Sequence, residues 1–418
     1  MIKSKSIPLW DAYGVELEYM LVREKDLAVA PRADELFFAL TGSRCREIVY
    51  PDLSISNELA LHVIELKTTH PVRNFVPLVT LIQNQLNKID HSLARWGLTL
   101  LPTAAHPWMD PGTETRLWPN ENQEIYEAFN RIFNCRGHGW SNLQSIHLNL
   151  PFQGNREFKK LHAAIRFLLP LLPALCASSP ILERKTTGFL DTRLEFYRLN
   201  QRKIPSISGA VIPEPVYTMR EYKKKILEKM YRDIAADDPQ HLLQYEWLNS
   251  RGAIPRFDRN TIEIRILDIQ ECPLADFAIL SLIIATLRSL TDGRWINLRR
   301  QCQWQTARLE KIFLNVVRDG EGAEIRDTEY LNALGYHEKR VCSAQRLWQK
   351  IFERVVQEGH VFPVAFKRAL TLLLKEGTLS TRILKGLGQH YSKAKLFKIY
   401  QRLAECLKKG RMFQVASL

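Results

Sequence analysis

Two glutamates separated by one residue, Glu16 and Glu18, sit in the stretch Tyr13-Gly14-Val15-Glu16-Leu17-Glu18-Tyr19-Met20-Leu21-Val22. β-Branched and aromatic residues there favour a strand, and alternate strand side chains share a face. Val15, Leu17, Tyr19 and Leu21 then point one way, and Glu16 and Glu18 the other. Adjacent carboxylates repel, and a hard divalent cation such as Mg²⁺ or Mn²⁺, which takes oxygen ligands, would relieve them. A surface strand with two solvated glutamates is the simpler alternative. Recurrence favours the cation. In residues 61–68, alternation aligns Val63, Glu65 and Lys67, with Glu58 just ahead; Lys67 also reads as a cross-strand partner for a carboxylate. In residues 144–150, Ser145, His147 and Asn149 oppose Ile146, Leu148 and Leu150. In residues 261–268, Glu263 and Arg265 oppose Ile262, Ile264 and Ile266. Four such strands predict one sheet with helices packed behind it and a polar, concave front.

The elements that must position these groups are legible from hydrophobic spacing. Helices are expected over residues 32–40, 75–96, 119–132, 156–177, 220–235, 275–290, 340–357, 363–375 and 391–409, with further short strands over 47–51 and 98–102. Cys135–Asn142 carries Gly137 and Gly139, which suit either a plain turn or close backbone approach to a ligand. Residues 204–217, rich in Pro, Ser and Gly, form a loop. Arg193 and Arg198 belong to a basic stretch that reads either as a clamp for phosphate or carboxylate or as a solvated loop. From residue 293 onward no strand is expected. The final segment is basic, which fits a solvated helix face better than RNA contact.

A chain of 418 residues exceeds what one core usually supports. A large α+β domain over residues 1–292 and a helical region over 293–418 are expected. The formal charge of +14 favours anionic partners or serves solubility. The seven cysteines are scattered without a CxxC pair, as in a cytoplasmic protein with reduced thiols. No run of about 18 apolar residues suggests a membrane span, and the N-terminus lacks a signal-peptide core.

The ordered set of Gly14–Glu18, Val63–Thr68, the His106-Pro107 loop, Ser145–Asn149, the Ala177-Ser178-Ser179-Pro180 ending and Thr261–Asp268 resembles glutamate–cysteine ligase family 2. That family belongs to the glutamine synthetase-like superfamily, and the likeness covers roughly the first 270 to 290 residues. It implies a curved antiparallel sheet and an ATP- and Mg²⁺-dependent carboxylate–amine ligase. Such an enzyme activates a carboxylate, usually the glutamate γ-carboxylate, as an acyl phosphate and joins it to cysteine or another amine. By the same resemblance Glu16, Glu18, Glu65, His147 and Glu263 hold Mg²⁺, with Mn²⁺ as a substitute. Arg265, paired with Glu263, stabilises the transferring phosphoryl group; Arg193 joins them, and Arg198 and Arg265 contact nucleotide. Charge neutralisation and positioning are what phosphoryl transfer needs. The implied partners are small carboxylate and amine substrates, without membrane or nucleic acid, in a homo-oligomer. Two departures bear on the substrate: Asn149 stands where many relatives carry the second histidine of His-x-His, and residues 188–193 differ from the family pattern. A non-catalytic, nucleotide-binding relative is the alternative, and phosphotransfer to a guanidine a third.

Overall fold

The computed structural model describes residues 6–415. Strands β1 (Gly14–Arg23), β2 (Glu47–Val49), β3 (Leu53–Asn57), β4 (Val63–Thr68), β5 (Leu98–Leu101) and β6 (Ser145–Pro151) come first. A detached hairpin of β7 (Ile181–Leu182) and β8 (Lys185–Thr186) follows, and then β9 (Ala253–Arg256) and β10 (Thr261–Asp268). The main sheet runs β2-β3-β4-β1-β6-β10-β9, and β5 pairs with the far half of β1. Its neighbours are antiparallel throughout. The four strands with polar faces are therefore contiguous at its centre.

Period-two alternation decides which side is buried. Val15, Leu17, Leu66, Ile146, Leu148, Ile262 and Ile264 are fully sequestered and share one core with the helices Phe75–Ala94, Gly154–Leu168 and Pro273–Thr291. The helix Pro273–Thr291 corrects one expectation. It is long and apolar enough to cross a membrane, yet 83% of its most apolar window is buried inside the protein. A helix apolar on all sides is what a core enclosed on all sides requires.

The opposite face of β1 changes character along its length. Glu16 and Glu18 lie in its first half. Met20 and Val22, which share their parity, are buried under the helices Leu379–Leu387 and Lys393–Lys409. The C-terminal helices thus return to the front of the sheet and wall off one end of the polar face. The larger core also runs without interruption past residue 293, through Phe313, Trp348 and Leu370.

Several elements differ from expectation for local reasons. The helix expected over 156–177 ends at Leu168 and continues as a 3₁₀ turn, Leu169–Leu171, and a short helix, Pro173–Cys176. Pro170 and Pro173 have no N–H to give an unbroken ladder. The helix expected over 220–235 holds a π-turn at Lys223–Leu227. β3 and β9 were not expected, nor was a two-residue ladder, Glu324–Ile325 with Cys342–Ser343, beyond residue 293. In β10 the alternation of Ile262, Ile264 and Ile266 is interrupted. Ile264 faces Leu148 and Leu267 faces Ile146, so β10 advances three residues where β6 advances two. This bulge returns Asp268 to the polar side, opposite Ser145.

Candidate active site on an acidic strand face

Strand register assembles the site. Glu16 lies opposite Lys67 on β4 and opposite His147 on β6. Glu18 lies opposite Glu65, and Glu263 opposite Asn149. Directly opposed side chains in an antiparallel pair approach within about 5 Å, so Lys67 and His147 flank Glu16 directly, and Glu18, Glu65 and Glu263 lie one step further along or across the sheet. The side chains are 2–15% exposed across Glu16, Glu18, Glu65, His147 and Glu263, and so little solvent screens them.

His147 is the hub. Its Nδ1 lies 3.0 Å from Glu16 Oε2 and 3.9 Å from Glu263 Oε1; its Nε2 lies 2.9 Å from Ser145 Oγ and 3.9 Å from Glu18 Oε1. Burial disfavours the imidazolium, but the Glu16 hydrogen bond and the charges of Glu263, Glu16 and Glu18 outweigh it and hold the pKa at about 9. For Glu16 burial again opposes ionisation, and the hydrogen bond and charge of His147, with Lys67 and Arg259, bring its pKa well below the usual carboxylate range. The protonated imidazole thus supplies a positive charge among the acids.

The remaining acids are less well compensated. Glu18 accepts from the Ser145 N–H (2.6 Å) and hydroxyl (2.9 Å). Glu65 accepts from Ser56 Oγ (2.8 Å) and pairs with Lys67 (3.2 Å). Burial, then the charge of Glu16, still push Glu65 up to about 7. Glu58, in the turn after β3, is raised well above its ordinary value by burial and by Glu65 and Glu18. Ligand atoms of Glu16, Glu65 and His147 lie within 4.8 Å of one another, as do those of Glu18, Glu58 and Glu65. Glu65 belongs to both groups. Carboxylates whose mutual repulsion drives them toward protonation are the chemistry a hard divalent cation satisfies.

On the far side of the cluster Glu263, 2% exposed, pairs with Arg265 (Nε–Oε1 3.1 Å) and Arg256 (3.5 Å). Arg265 also donates to the Asn249 carbonyl at 3.2 Å. Burial opposes its charge, but Glu263, Tyr197, Glu16 and Glu18 keep it firmly protonated. Asn149 donates its amide to Glu16 Oε1 (2.9 Å), and its buried Oδ1 has no partner among the described residues. Gly14 matters here because a Cβ at that position would sit 3.1 Å from Asn149 Cβ. The helix Gln123–Phe133 bridges the two sides of the face. Tyr126 OH accepts from Asn57 Nδ2 at the end of β3, and Phe129 packs on Trp247, just ahead of Asn249.

Five predicted ligands and Arg265 therefore converge; Arg193 and Arg198 do not join them. Arg193 is buried, 1% exposed, with Nε 2.5 Å from Asp268 Oδ1. It anchors the end of β10, its Nη2 has no hydrogen-bond partner among the described residues, and Glu18 of the cluster is among the charges that raise its pKa. Arg198, at the end of the helix Thr192–Tyr197, pairs with Glu195 at 2.6 Å. Alternation missed Glu58, which lies in a turn, and Ser56, whose strand was unrecognised.

Among solved structures the fold is similar to glutamate–cysteine ligase from Francisella tularensis, determined with AMP. The TM-score is 0.60 at 13% identity, covering 99% of this chain and 90% of that one. It is also similar to a bifunctional glutathione synthetase from Pasteurella multocida, with a TM-score of 0.55 at 14% identity over 95% of this chain and 52% of that one. These likenesses define the fold, an antiparallel sheet backed by helices. Residues 12–327 match glutamate–cysteine ligase family 2 (GCS2), and the chain belongs to that family. An uncharacterized protein of Archaeoglobus fulgidus is 30% identical over 96% of this chain and 99% of its own length. A Bradyrhizobium protein provisionally named glutamate–cysteine ligase 2 is 23% identical over 80% of this chain and 78% of its own.

Proposed function

We propose that the protein is an ATP- and Mg²⁺-dependent carboxylate–amine ligase that activates the γ-carboxylate of glutamate, or a close analogue, and transfers it to a small amine such as cysteine. The supporting observation is the gathering of Glu16, Glu18, Glu65, His147 and Glu263 from four strands beside Arg265. The two overlapping groups of ligand atoms suit Mg²⁺ or Mn²⁺, with Glu65 shared. Bound there, the metal would neutralise the phosphate oxygens and orient the γ-phosphoryl group.

The chain's own groups have distinct tasks. Arg265, fixed by Glu263 and the Asn249 carbonyl, presents a permanent positive charge to the phosphoryl oxygens as charge moves onto them. An oxygen of the substrate carboxylate attacks the γ-phosphorus, and ADP leaves. The amine, losing a proton, then attacks the acyl carbon. Phosphate departs with the former carboxylate oxygen. His147 and Asn149 hold Glu16 from two sides. Ser145 holds Glu18, and Lys67 with Ser56 holds Glu65. The ligands are thereby oriented before substrate arrives. The helix Gln123–Phe133 over this face limits water, which would otherwise hydrolyse an acyl phosphate.

The test is ADP release with glutamate and a panel of amines. Amine-dependent release in the wild type and its loss in Glu16→Gln are expected. Equal turnover in both proteins would exclude the role given to Glu16. Tight ATP–Mg²⁺ binding with no transfer to any carboxylate would favour the non-catalytic alternative.

A further inference from the structure

A cavity lies away from the acidic face, where the start of β1 meets the core helix Pro273–Thr291 and the segment before the helix Val364–Glu376. Its volume is about 220 Å³, somewhat larger than the roughly 150 Å³ that holds a benzene molecule in an apolar protein cavity. Phe75, Ile284, Phe362 and Phe366 give it an apolar wall, which the exposed Val76 (46%) and Val361 (92%) continue to the rim. Arg73, Arg288 and His360 line it as well, and no aspartate or glutamate does.

Two cationic groups there keep donors without a partner among the described residues, although Arg288 also lies over the Trp10 ring at 5.6 Å. Arg288 spends Nη2 on the Trp10 carbonyl (3.1 Å) and Tyr13 OH (2.8 Å). Its Nε is buried without a partner, and among the described residues its Nη1 has none. Arg73 is exposed and makes no ion pair among the described residues. The same side of the cavity holds the start of the 20-residue helix Phe75–Ala94, whose first turn carries no acid and so presents a positive end.

We propose that this cavity binds a small organic carboxylate with an apolar body. The carboxylate would lie between Arg288 and Arg73, and the body against Phe75, Ile284 and Phe366. An arginine fork matches a carboxylate, and the aromatic wall supplies apolar burial. Tyr13, which Arg288 grips, immediately precedes Gly14, so the occupant would abut the strand that carries Glu16 and Glu18.

The test titrates the full-length chain with benzoate, benzyl alcohol and inorganic phosphate, followed by calorimetry and by protein NMR. Benzoate is expected to bind with a dissociation constant on the order of a millimolar, and both comparison compounds much more weakly. Arg73→Gln should weaken benzoate about tenfold. Ala285→Phe, which fills the cavity and removes no charge, should abolish binding, and Arg318→Gln on a distant helix should leave it unchanged. Equal binding of benzyl alcohol would overturn anion recognition, and equal binding of phosphate would overturn the apolar body. Benzoate affinity unmoved by both cavity variants, or no benzoate binding at all, would overturn the site. So would self-association abolished by Val361→Asp in a chain that ignores benzoate, since the surface would then be an interface between copies.

Discussion

Replacing Glu65 by glutamine is expected to stabilise the metal-free protein and to remove its response to Mg²⁺. Glu65 has a folded-state pKa of about 7 against an ordinary value of 4.5. The folded chain therefore binds the proton more tightly than the unfolded one. Stability is full below pH 4.5 and falls as pH rises through 7. At 1.36 kcal/mol per tenfold difference in proton affinity, the loss at pH 8 is about 3 kcal/mol. The carboxylate is 7% exposed as a residue, so solvent screening does little to reduce this. Glutamine keeps an acceptor for Ser56 Oγ and forfeits the ion pair with the partly exposed Lys67, worth about 1 kcal/mol. The net gain is about 2 kcal/mol. Mg²⁺ at a hundredfold excess over its dissociation constant stabilises the wild type by about 3 kcal/mol, and the variant lacks the ligand common to both groups. Urea unfolding at pH 8, in chelator and then in Mg²⁺, measures both effects. A variant less stable than wild type in chelator would show that the buried Glu65 carboxylate does not destabilise the fold, and one whose midpoint still rises with Mg²⁺ would show that Glu65 is not a metal ligand.

His147, held at about 9 against an ordinary 6.5, should contribute stability to the metal-free fold that is complete below pH 6.5 and lost as pH rises to 9. The unfolding midpoint of the wild type in chelator should fall across that window, and more steeply than that of His147→Gln, which keeps only the Glu65 contribution. Arg265→Lys keeps a charge but loses the hold on Asn249; turnover should drop by about two orders of magnitude, while calorimetric Mg²⁺ affinity stays within about twofold. Arg382 and Glu271 form a fully buried pair that also binds the backbone N–H and carbonyl of Phe413. Arg382→Met strands Glu271 and should cost about 3 to 5 kcal/mol, with C-terminal amides exchanging faster by hydrogen exchange. A double variant with Glu271→Leu should recover most of that loss.

The central strands were readable because one side of each faces a dry core, so the period of two is written in full: Val15, Leu17, Ile146, Leu148, Ile262 and Ile264 are all below 3% exposure. The acids stood out against that background, and the family resemblance then supplied the roles expected of Glu16, Glu18, Glu65, His147, Glu263 and Arg265. β3 escaped because Leu53-Ser54-Ile55-Ser56-Asn57 is buried on both faces; its serines hydrogen-bond inward and look like loop residues. β9 carries Pro255, tolerated at the edge of the sheet. The bulge in β10 leaves no local mark, since both Ile266 and Leu267 are apolar. Arg193 and Arg198 show where residue type alone misleads. An arginine near a site can be paired with a nearby acid, as Arg193 is through Nε with Asp268 and Arg198 with Glu195. Only tertiary contact separates these arginines from Arg265. The turn onto the front face by the C-terminal helices was equally invisible, because it depends on Met20 and Val22 meeting Ile383 and Leu403 across the fold.

A carboxylate activated by phosphorylation on this acidic face must give up one of its oxygens to the departing phosphate. Glutamate labelled with heavy oxygen in its γ-carboxylate, incubated with ATP, Mg²⁺ and an accepted amine, tests it most directly. One heavy oxygen in the inorganic phosphate is expected for each amide formed, read by mass spectrometry, and none with Glu16→Gln. Amide formed while the phosphate stays unlabelled would contradict it.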